Sequence, residues 1–222
     1  MQSIFPNGAP LPLLLGGAAV FAYLCGCFNG AVIVSKYILR NDVRNHGSGN
    51  AGLTNFYRTF GGPLTLVVIL TDVLKAVVAV YVGIWLMKAS VPSPWGIDPR
   101  ALSAYWSGLF CLVGHMFPCM FQFKGGKGIL SGGTIAIIID WRVALVVWGG
   151  FLILTILTRY VSLGSSSTGV TLPIITWMVY HNWVILILSI VIGGLILWKH
   201  RSNIGRLLAG NESKFSLHKK VK

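Results

Sequence analysis

Long apolar runs separated by short polar loops constrain the fold of this chain more than any other feature. Of its 222 residues, 55% are hydrophobic and only 10% are charged. A membrane-spanning helix needs roughly 20 consecutive apolar residues. Because backbone polar groups must pair internally in lipid, such runs fold as helices. We therefore expect an all-α polytopic membrane protein, and no water-soluble domain.

The runs predict about seven transmembrane helices within one integral membrane domain that covers residues 1–222. In chain order they are residues 11–35, 64–87, 101–121, 129–139, 143–157, 163–180 and 183–198. The segment 129–139 is short for a full crossing. The sequence leaves open whether it spans the membrane or re-enters from one side.

The distribution of Lys and Arg predicts the orientation in the membrane. The chain has 18 Lys and Arg against 5 Asp and Glu. With seven spans and an external N-terminus, 14 of these cations fall in inner loops and the tail, and 3 in outer loops. The positive-inside rule then places the C-terminus in the cytoplasm. Cations that flank apolar spans favour contact with anionic lipid headgroups, so we expect no nucleic-acid partner.

Three polar motifs interrupt the apolar sequence, and the predicted topology places all of them on the cytoplasmic side. The first motif is 47–58 (GSGNAGLTNFYR), the second is 114–128 (GHMFPCMFQFKGGKG) and the third is 200–212 (HRSNIGRLLAGNE). Each combines Gly with cations and with small polar or amide side chains, which together bind phosphate well. The motifs therefore indicate an enzyme that handles phosphorylated substrates beside lipid.

The first motif has three glycines within six positions, which permits positive φ and close approach of an anion to the backbone. Ser48, Thr54 and Asn55 offer neutral donors, and Arg58 can bind a phosphate with two N–H groups. A structural alternative is a loop that opens the next helix, with Thr54 or Asn55 as its N-cap.

In the second motif, two lysines and three glycines stand immediately before an apolar helix. The spacing is not that of a nucleotide-binding P-loop, but cations and glycines at a helix N-terminus still favour anions. His115 lies near the cytoplasmic end of its span and is either a structural residue or a proton acceptor.

In the third motif, His200, Asn203 and Arg206 follow at helical spacing and share a face. The alternative is a basic helix that only contacts anionic lipid, although Asn203 and Glu212 fit that alternative less well. Ser162 lies in the remaining inner loop and can line the same site.

Two further features limit the chemistry. Asp72 and Lys75 lie three residues apart inside one span, where charges are costly, and we expect an ion pair that faces the bundle interior. The sequence has no carboxylate cluster for Mg²⁺ or Zn²⁺ and no nucleophile elbow. We expect neither a metal nor another cofactor.

Taken together, the motifs resemble those of the bacterial acyl-phosphate:glycerol-3-phosphate acyltransferase family over essentially the whole chain. The patterns GSGNxGxTNxxR, GHxxPxxxxFxGGKG and HxxNIxRLxxGxE occur in that order. Leu53 departs from the Ala that is common in the family. The resemblance implies acyl transfer from acyl phosphate to the 1-hydroxyl of glycerol 3-phosphate, giving lysophosphatidic acid and phosphate. It implies a bacterial plasma-membrane enzyme, and the upstream acyl-phosphate-forming enzyme is a candidate partner.

The predicted site follows from the motifs. We predict catalytic roles for Ser48, Asn50, Arg58, His115, His200 and Asn203. We predict that substrate phosphate is bound by Gly49, Thr54, Asn55, Lys124, Gly125, Gly126, Lys127, Gly128, Arg206, Glu212 and Ser162. The base that removes the hydroxyl proton is left open between His115, His200 and the substrate phosphate. A transporter or channel for phosphorylated anions is the alternative function.

Overall fold

The computed structural model of the chain describes residues 10–88 and 98–215. These residues form α-helices joined by short 3-10, π and irregular segments, and no β-strand occurs among them. The predicted all-α class is therefore confirmed. The chain divides into two compact units, Met1–Ile139 and Asp140–Lys222.

The first unit contains six α-helices within its described part. They are α1 (Leu11–Cys27), α2 (Gly30–Ile33), α3 (Leu53–Thr59), α4 (Leu64–Lys88), α5 (Pro99–Met116) and α6 (Ile129–Ile139). A π-helical turn at Val34–Ile38 extends α2, and 3-10 turns occupy Val43–Asn45 and Cys119–Phe121. Helix α4 packs against α1, α5 and α6, and α1 also packs against α5.

The second unit contains α7 (Trp141–Thr158), α8 (Val161–Tyr180) and α9 (Trp183–Leu208). Helix α8 packs against both others. A side chain at Gly169 would place its Cβ 2.8 Å from the carbonyl oxygen of Gly193, so small residues allow α8 and α9 to approach closely.

Five segments of the described chain are long and apolar enough to cross a membrane. They are Leu11–Ile38, Leu64–Met87, Pro99–Phe121, Trp141–Thr158 and Trp183–Leu208. Helix α6 is a shorter apolar helix, and α8, which is rich in Ser, Thr and Gly, is not among the five. The chain is thus an integral membrane protein by composition and fold, while the count of seven spans and the orientation stay predictions.

The first predicted span is not one continuous α-helix. Helix α1 ends at Cys27, and Asn29 begins α2 by accepting the N–H of Val32 at 3.0 Å. The other end of the same buried amide donates to the carbonyl oxygen of Ala51 at 3.0 Å. The break therefore ties the C-terminal part of the first span to the first motif.

Candidate active site

Asn55 organises the first motif from within α3. Its side chain is buried, its Oδ1 accepts the N–H of Ser48 at 3.0 Å, and its Nδ2 donates to the carbonyl oxygens of Val43, His46 and Asn50 at 3.0–3.1 Å. A primary amide has two N–H donors, so the three acceptors share them. Because both ends of the amide are engaged within the loop, Asn55 fixes the loop backbone. Its contact with a phosphate stays a prediction.

Glycines make this loop conformation possible. Gly47 and Gly49 have φ angles of 56° and 69°, in the left-handed region that glycine adopts without steric cost. A Cβ on Gly47 would also collide with Oδ1 of Asn55. The N-cap of α3 is Gly52, so the alternative in which Thr54 or Asn55 caps this helix is wrong. The reason is that the Asn55 amide turns back into the loop.

The loop rests on an apolar core and presents polar side chains outward. Ser48 and Arg58 are exposed, and Asn50 and Thr54 are half-buried. The core beneath them is a buried cluster of Ala31, Val34, Val43, Phe56 and Val68. A hydroxyl and a guanidinium are thus carried by a backbone that Asn55 and the core hold in place.

In the second motif, the two central glycines pack against the end of α5. The N–H groups of Gly125 and Gly126 donate to the carbonyl oxygens of Met116 and His115 at 3.3 and 3.1 Å. A Cβ on either glycine would collide with His115. These two N–H groups are therefore engaged within the protein, and phosphate binding by them stays a prediction.

The cationic part of the second motif leads into α6. Lys124 is exposed and Lys127 is half-buried. Gly128, with φ 77°, turns the chain into the helix and accepts the N–H of Gly132 at 2.7 Å. A helix N-terminus carries a partial positive charge, so two lysines and α6 create a local environment that favours anions.

His115 lies at the base of the second motif in a buried polar cluster. Its Nδ1 is 2.7 Å from Nζ of Lys75, which lies 2.6 Å from Oδ1 of Asp72. Asp72 and Lys75 are only 3% and 6% exposed, so the predicted interior ion pair is confirmed. The Ser131 hydroxyl on α6 donates to the carbonyl oxygen of Asp72 at 2.9 Å, which ties α6 to α4.

In the second unit, the third motif closes on Glu212. Helix α9 ends in a turn at Gly210, whose φ is 70°, and the N–H of Asn211 donates back to the Arg206 carbonyl at 2.8 Å. The Glu212 carboxylate then accepts from Nδ2 of Asn203 and from Nε of Arg206, each at 2.6 Å. Three residues predicted from the sequence therefore meet in one hydrogen-bonded group.

The charge state of Glu212 follows from these contacts. Burial raises the pKa of its carboxyl, but hydrogen bonds from Asn203, Ser162 and Arg206 outweigh burial and hold the pKa below its ordinary value of 4.5. The Ser162 hydroxyl is buried and, among the described residues, has no partner at full hydrogen-bond geometry. Its contact with Glu212 therefore falls short of ideal geometry, and its contact with a phosphate stays a prediction.

His200 faces the interior of the second unit, one turn before Asn203. It is 3% exposed, and its Nδ1 lies 2.8 Å from the carbonyl oxygen of Ile196. A carbonyl can only accept, so Nδ1 carries a proton. In the neutral ring, Nε2 then holds a lone pair and can accept a proton.

A known protein family matches most of this chain, including nearly all of the three motifs. The family model described as glycerol-3-phosphate acyltransferase matches residues 17–210, which include all three motifs except the last two residues of the third. The chain belongs to the glycerol-3-phosphate acyltransferase family.

Individual relatives of this family agree over nearly their whole length. A glycerol-3-phosphate acyltransferase of Thermoanaerobacter pseudethanolicus is 37% identical over 204 residues, which are 92% of this chain and 97% of the relative. Glycerol-3-phosphate acyltransferase 2 of Bacillus cereus is 34% identical, with 91% and 96% covered. The crystal structure of PlsY (YgiH), an integral membrane glycerol 3-phosphate acyltransferase, in its glycerol 3-phosphate form is 32% identical, with a TM-score of 0.78 and coverage of 91% and 96%.

Sequence reasoning missed one residue that joins the segment just before the first motif to the second motif of this family member. Arg44 donates through Nη1 to the carbonyl oxygen of Phe121 at 2.9 Å, at the start of the loop that carries Lys124. Its Nε and Nη2 pair with Asp42, and hydrogen bonding from Arg44 holds the pKa of Asp42 below its ordinary value. Asp42 is one of only five acids in the chain, which was the signal available in the sequence.

Proposed function

We propose that this chain transfers a long-chain acyl group from acyl phosphate to the 1-hydroxyl of glycerol 3-phosphate. The products are 1-acyl-glycerol 3-phosphate (lysophosphatidic acid) and inorganic phosphate, in phospholipid biosynthesis. Similar solved structures are the glycerol 3-phosphate form and the lysophosphatidic acid form of PlsY, which supports this acceptor and product. The observation that carries the proposal is the first motif, where Asn55 fixes a loop that leaves Ser48 and Arg58 exposed.

The first motif supplies charge and hydrogen bonds to the reacting groups. Arg58 neutralises a phosphate through two parallel N–H donors. Ser48 and Asn50 stabilise the oxyanion that develops on the acyl carbon, an effect worth roughly 3–4 kcal/mol per donor. Lys124 and Lys127 bind the phosphate of one substrate at the start of α6. This assignment is supported by the positions of the two side chains, of which Lys124 is exposed and Lys127 is half-buried.

The third motif supplies a second cationic group. Glu212 holds Arg206 through Nε, so the two terminal NH₂ groups of that guanidinium are the donors that can face a phosphate. Asn203 is held by the same carboxylate. In this assignment Glu212 orients the donors, and the Ser162 hydroxyl turns its single O–H from Glu212 to the phosphate when substrate binds.

Acyl phosphate suits this site as the donor because a mixed anhydride is already activated. The acyl chain enters from the lipid, and glycerol 3-phosphate comes from the cytoplasm. The reaction requires no CoA-binding domain and no cofactor. The enzyme that forms acyl phosphate is the proposed upstream partner.

The hydrogen bonds of the two histidines favour different roles in proton removal. His200 donates from Nδ1 to the Ile196 carbonyl, which leaves Nε2 as an acceptor in the neutral ring. His115 instead faces the Lys75 ammonium through Nδ1. We therefore assign the base to His200 or to the substrate phosphate, whose second pKa is about 6.

We further propose that residues 1–222 form one acyltransferase domain in the bacterial plasma membrane. The domain crosses the membrane seven times with the N-terminus outside and the C-terminus in the cytoplasm, and the active site lies at the cytoplasmic face. The proposal is supported by the 14 cations assigned to the inner side against 3 outside.

The decisive experiment compares acyl donors with purified protein in detergent or nanodiscs. Palmitoyl phosphate, palmitoyl-CoA and palmitoyl-acyl-carrier protein are each supplied with glycerol 3-phosphate, and lysophosphatidic acid is quantified by mass spectrometry. We expect product from palmitoyl phosphate alone. Phosphate release is counted only where it depends on glycerol 3-phosphate, since acyl phosphates hydrolyse spontaneously.

The matched controls are Ser48→Ala, which should lose the product, and His181→Asn, which should keep it. His181 is exposed and ends α8 with φ 46°, a conformation that Asn also tolerates. Product from a thioester but not from acyl phosphate would rule out acyl phosphate as the donor. Glycerol 3-phosphate uptake into vesicles without acylation would favour the transporter instead.

A further inference from the structure

Lys75 lies within hydrogen-bond distance of three acceptors in the buried cluster between α4 and α5. Its Nζ is 3.1 Å from the carbonyl oxygen of Phe28, 2.6 Å from Oδ1 of Asp72 and 2.7 Å from Nδ1 of His115. An ammonium group has three N–H donors and no acceptor. The three partners therefore account for all of its donors.

The distances to Asp72 favour Lys75 as the carrier of the positive charge. Asp72 and Lys75 are 3% and 6% exposed, and Oδ1 of Asp72 lies 2.6 Å from Nζ of Lys75 but 3.6 Å from Nδ1 of His115, so the lysine is the nearer countercharge for the buried carboxylate. A cationic Lys75 must donate to Nδ1 of His115, because its nitrogen has no lone pair. Nδ1 is then the acceptor of the ring, and the ring proton lies on Nε2.

Nε2 of His115 lies beside Gly126, where the two polar loops of the first unit come together. A Cβ on Gly126 would collide with Nε2 of His115 and would lie 2.6 Å from the carbonyl oxygen of Ala51. Gly126 belongs to the second motif and Ala51 to the first. The N–H of Gly126 also donates to the His115 carbonyl at 3.1 Å. Nε2 of His115 and the Ala51 carbonyl of the first loop therefore border the same space beside Gly126.

We propose that His115 is a hydrogen-bond donor that positions these two loops, and that the Lys75–Asp72 ion pair holds its proton on Nε2. His115 and Lys75 are then positioning residues, and His115 is not the base of the reaction. The proposal rests on the proposed function in one respect, which is that the loops bind a phosphorylated substrate.

Two substitutions separate the donor from the acceptor of the ring. His115→Gln keeps an N–H near the position of Nε2 and loses the acceptor for Lys75. His115→Asn keeps an acceptor near Nδ1 and loses the Nε2 donor. We expect His115→Asn to raise KM for glycerol 3-phosphate about tenfold with a smaller fall in kcat, as for one lost hydrogen bond. We expect His115→Gln to stay within about threefold of the wild type.

Other outcomes contradict the proposal. Neither amide can act as a base, so an equal and large loss of kcat in both variants would identify His115 as the base. A greater loss in His115→Gln than in His115→Asn would mean that the ring only satisfies Lys75. The thermal unfolding midpoint of each variant, with His181→Asn as the control, identifies losses caused by misfolding.

The position of the proton is measured directly by NMR of the full-length protein with ¹⁵N-labelled histidine. The chain has five histidines, and the His115→Gln spectrum identifies the signals of His115. We expect the Nε2–H form in the wild type at neutral pH. The charge-neutral double variant Asp72→Leu/Lys75→Met should lower the population of that form.

A proton on Nδ1 in the wild type would overturn the proposal, even if both amide variants failed to fold. An unchanged Nε2–H population in the double variant would overturn the role of the ion pair. The spectrum is recorded without substrate, so it tests His115 whether or not the proposed reaction is correct. Absence of acyl transfer by the wild type would instead count against the proposed function.

Discussion

Asn55 and Arg58 lie one turn apart on α3, and their side chains have different tasks. The Asn55 amide turns inward and binds four groups of the preceding loop. The Arg58 side chain is exposed, and so is Ser48, whose backbone N–H donates to Asn55. The first motif thus presents one hydroxyl and one guanidinium on a fixed backbone.

Removing either group should severely reduce turnover. We expect Ser48→Ala and Arg58→Ala each to lower kcat/KM by about 10²–10³, the usual effect of losing a donor to developing charge. Arg58→Lys should stay impaired, because a lysine keeps the charge but loses the planar fork. Steady-state rates of lysophosphatidic acid formation provide the measurement.

A matched control for the Arg58 variants is Arg40→Asn, which removes an exposed arginine from the loop that precedes the first motif. Arg40 has φ 51°, and Asn tolerates that conformation, so this variant should keep its activity. We also expect intact mass spectrometry to find no acylated protein after incubation with acyl phosphate alone. An acyl-Ser48 species formed as fast as turnover would contradict the positioning role and indicate double displacement.

Glu212 gives a prediction about pH and stability. Its folded pKa is below the ordinary 4.5, so the stabilisation by its hydrogen bonds is fully present above pH 4.5 and is lost as pH falls through the folded pKa. Glu212→Gln should therefore lower the thermal midpoint at pH 7, and the difference from wild type should shrink below pH 4.5. Scans at one heating rate between pH 3 and pH 8 measure it. A difference that is the same at every pH would contradict an ionised carboxylate as its source.

At the scale of elements, the second motif joins the end of α5 to the start of α6. Its glycines Gly125 and Gly126 pack against His115. We expect Lys127→Ala to raise KM for one phosphorylated substrate, glycerol 3-phosphate by our assignment, because it removes a cation from the helix start. Gly126→Ala should have the same main effect, because its methyl would meet His115 and the Ala51 carbonyl. Full kinetic curves for both substrates measure the change.

The control for Gly126→Ala is Gly194→Ala in α9, where an added Cβ meets nothing within 4 Å. This variant should be neutral or slightly stabilising, because Ala is the better helix former. Folded Lys127 or Gly126 variants with unchanged dependence on both substrates would refute the assignment of this loop to anion binding.

The elements also indicate what a sequence can predict. Apolar periodicity was sufficient for the positions of the long helices and for the Asp72–Lys75 pair, because both follow from local spacing. Apolar periodicity could not predict the hydrogen bonds of Asn29 and Asn55, because their partners lie further along the chain. The Asn29 amide, for example, donates to the carbonyl oxygen of Ala51, 22 residues away. A motif reveals that an Asn is polar and near glycines, but only the fold decides whether its amide faces a substrate or the loop itself.

At the scale of the whole molecule, we expect catalysis without a metal ion. Among residues 10–88 and 98–215, no three His, Cys, Asp or Glu side chains form a cluster that could hold one. The two acids that the predicted topology assigns to cytoplasmic loops or the tail, Asp42 and Glu212, are each paired with an arginine. Activity should therefore be unchanged in EDTA after removal of bound metal. Loss of activity in EDTA that Mg²⁺ restores would contradict this prediction.

The topology prediction depends on whether α6 and α8 cross the membrane. Seven and five crossings both put the N-terminus outside and Lys124 and Lys214 inside, so labelling at those two positions alone does not distinguish the models. Trp141, 71% exposed at the start of α7, does distinguish them. It lies outside if α6 spans the membrane, and inside if α6 does not.

We therefore expect single-cysteine variants to react with an impermeant maleimide in a defined pattern. The background replaces the four native cysteines, Cys25, Cys27, Cys111 and Cys119. Cysteines at Trp141 and at Ser93, which lies outside the described residues, should label in intact cells, whereas those at Lys124 and Lys214 should label only after permeabilisation. Protection of Trp141→Cys together with labelling of Ser93→Cys would support five crossings and place Ser162 on the side opposite Lys124. External labelling at Lys124 or Lys214 would rule out a cytoplasmic site altogether, because the 14 cations assigned there would then face the wrong side.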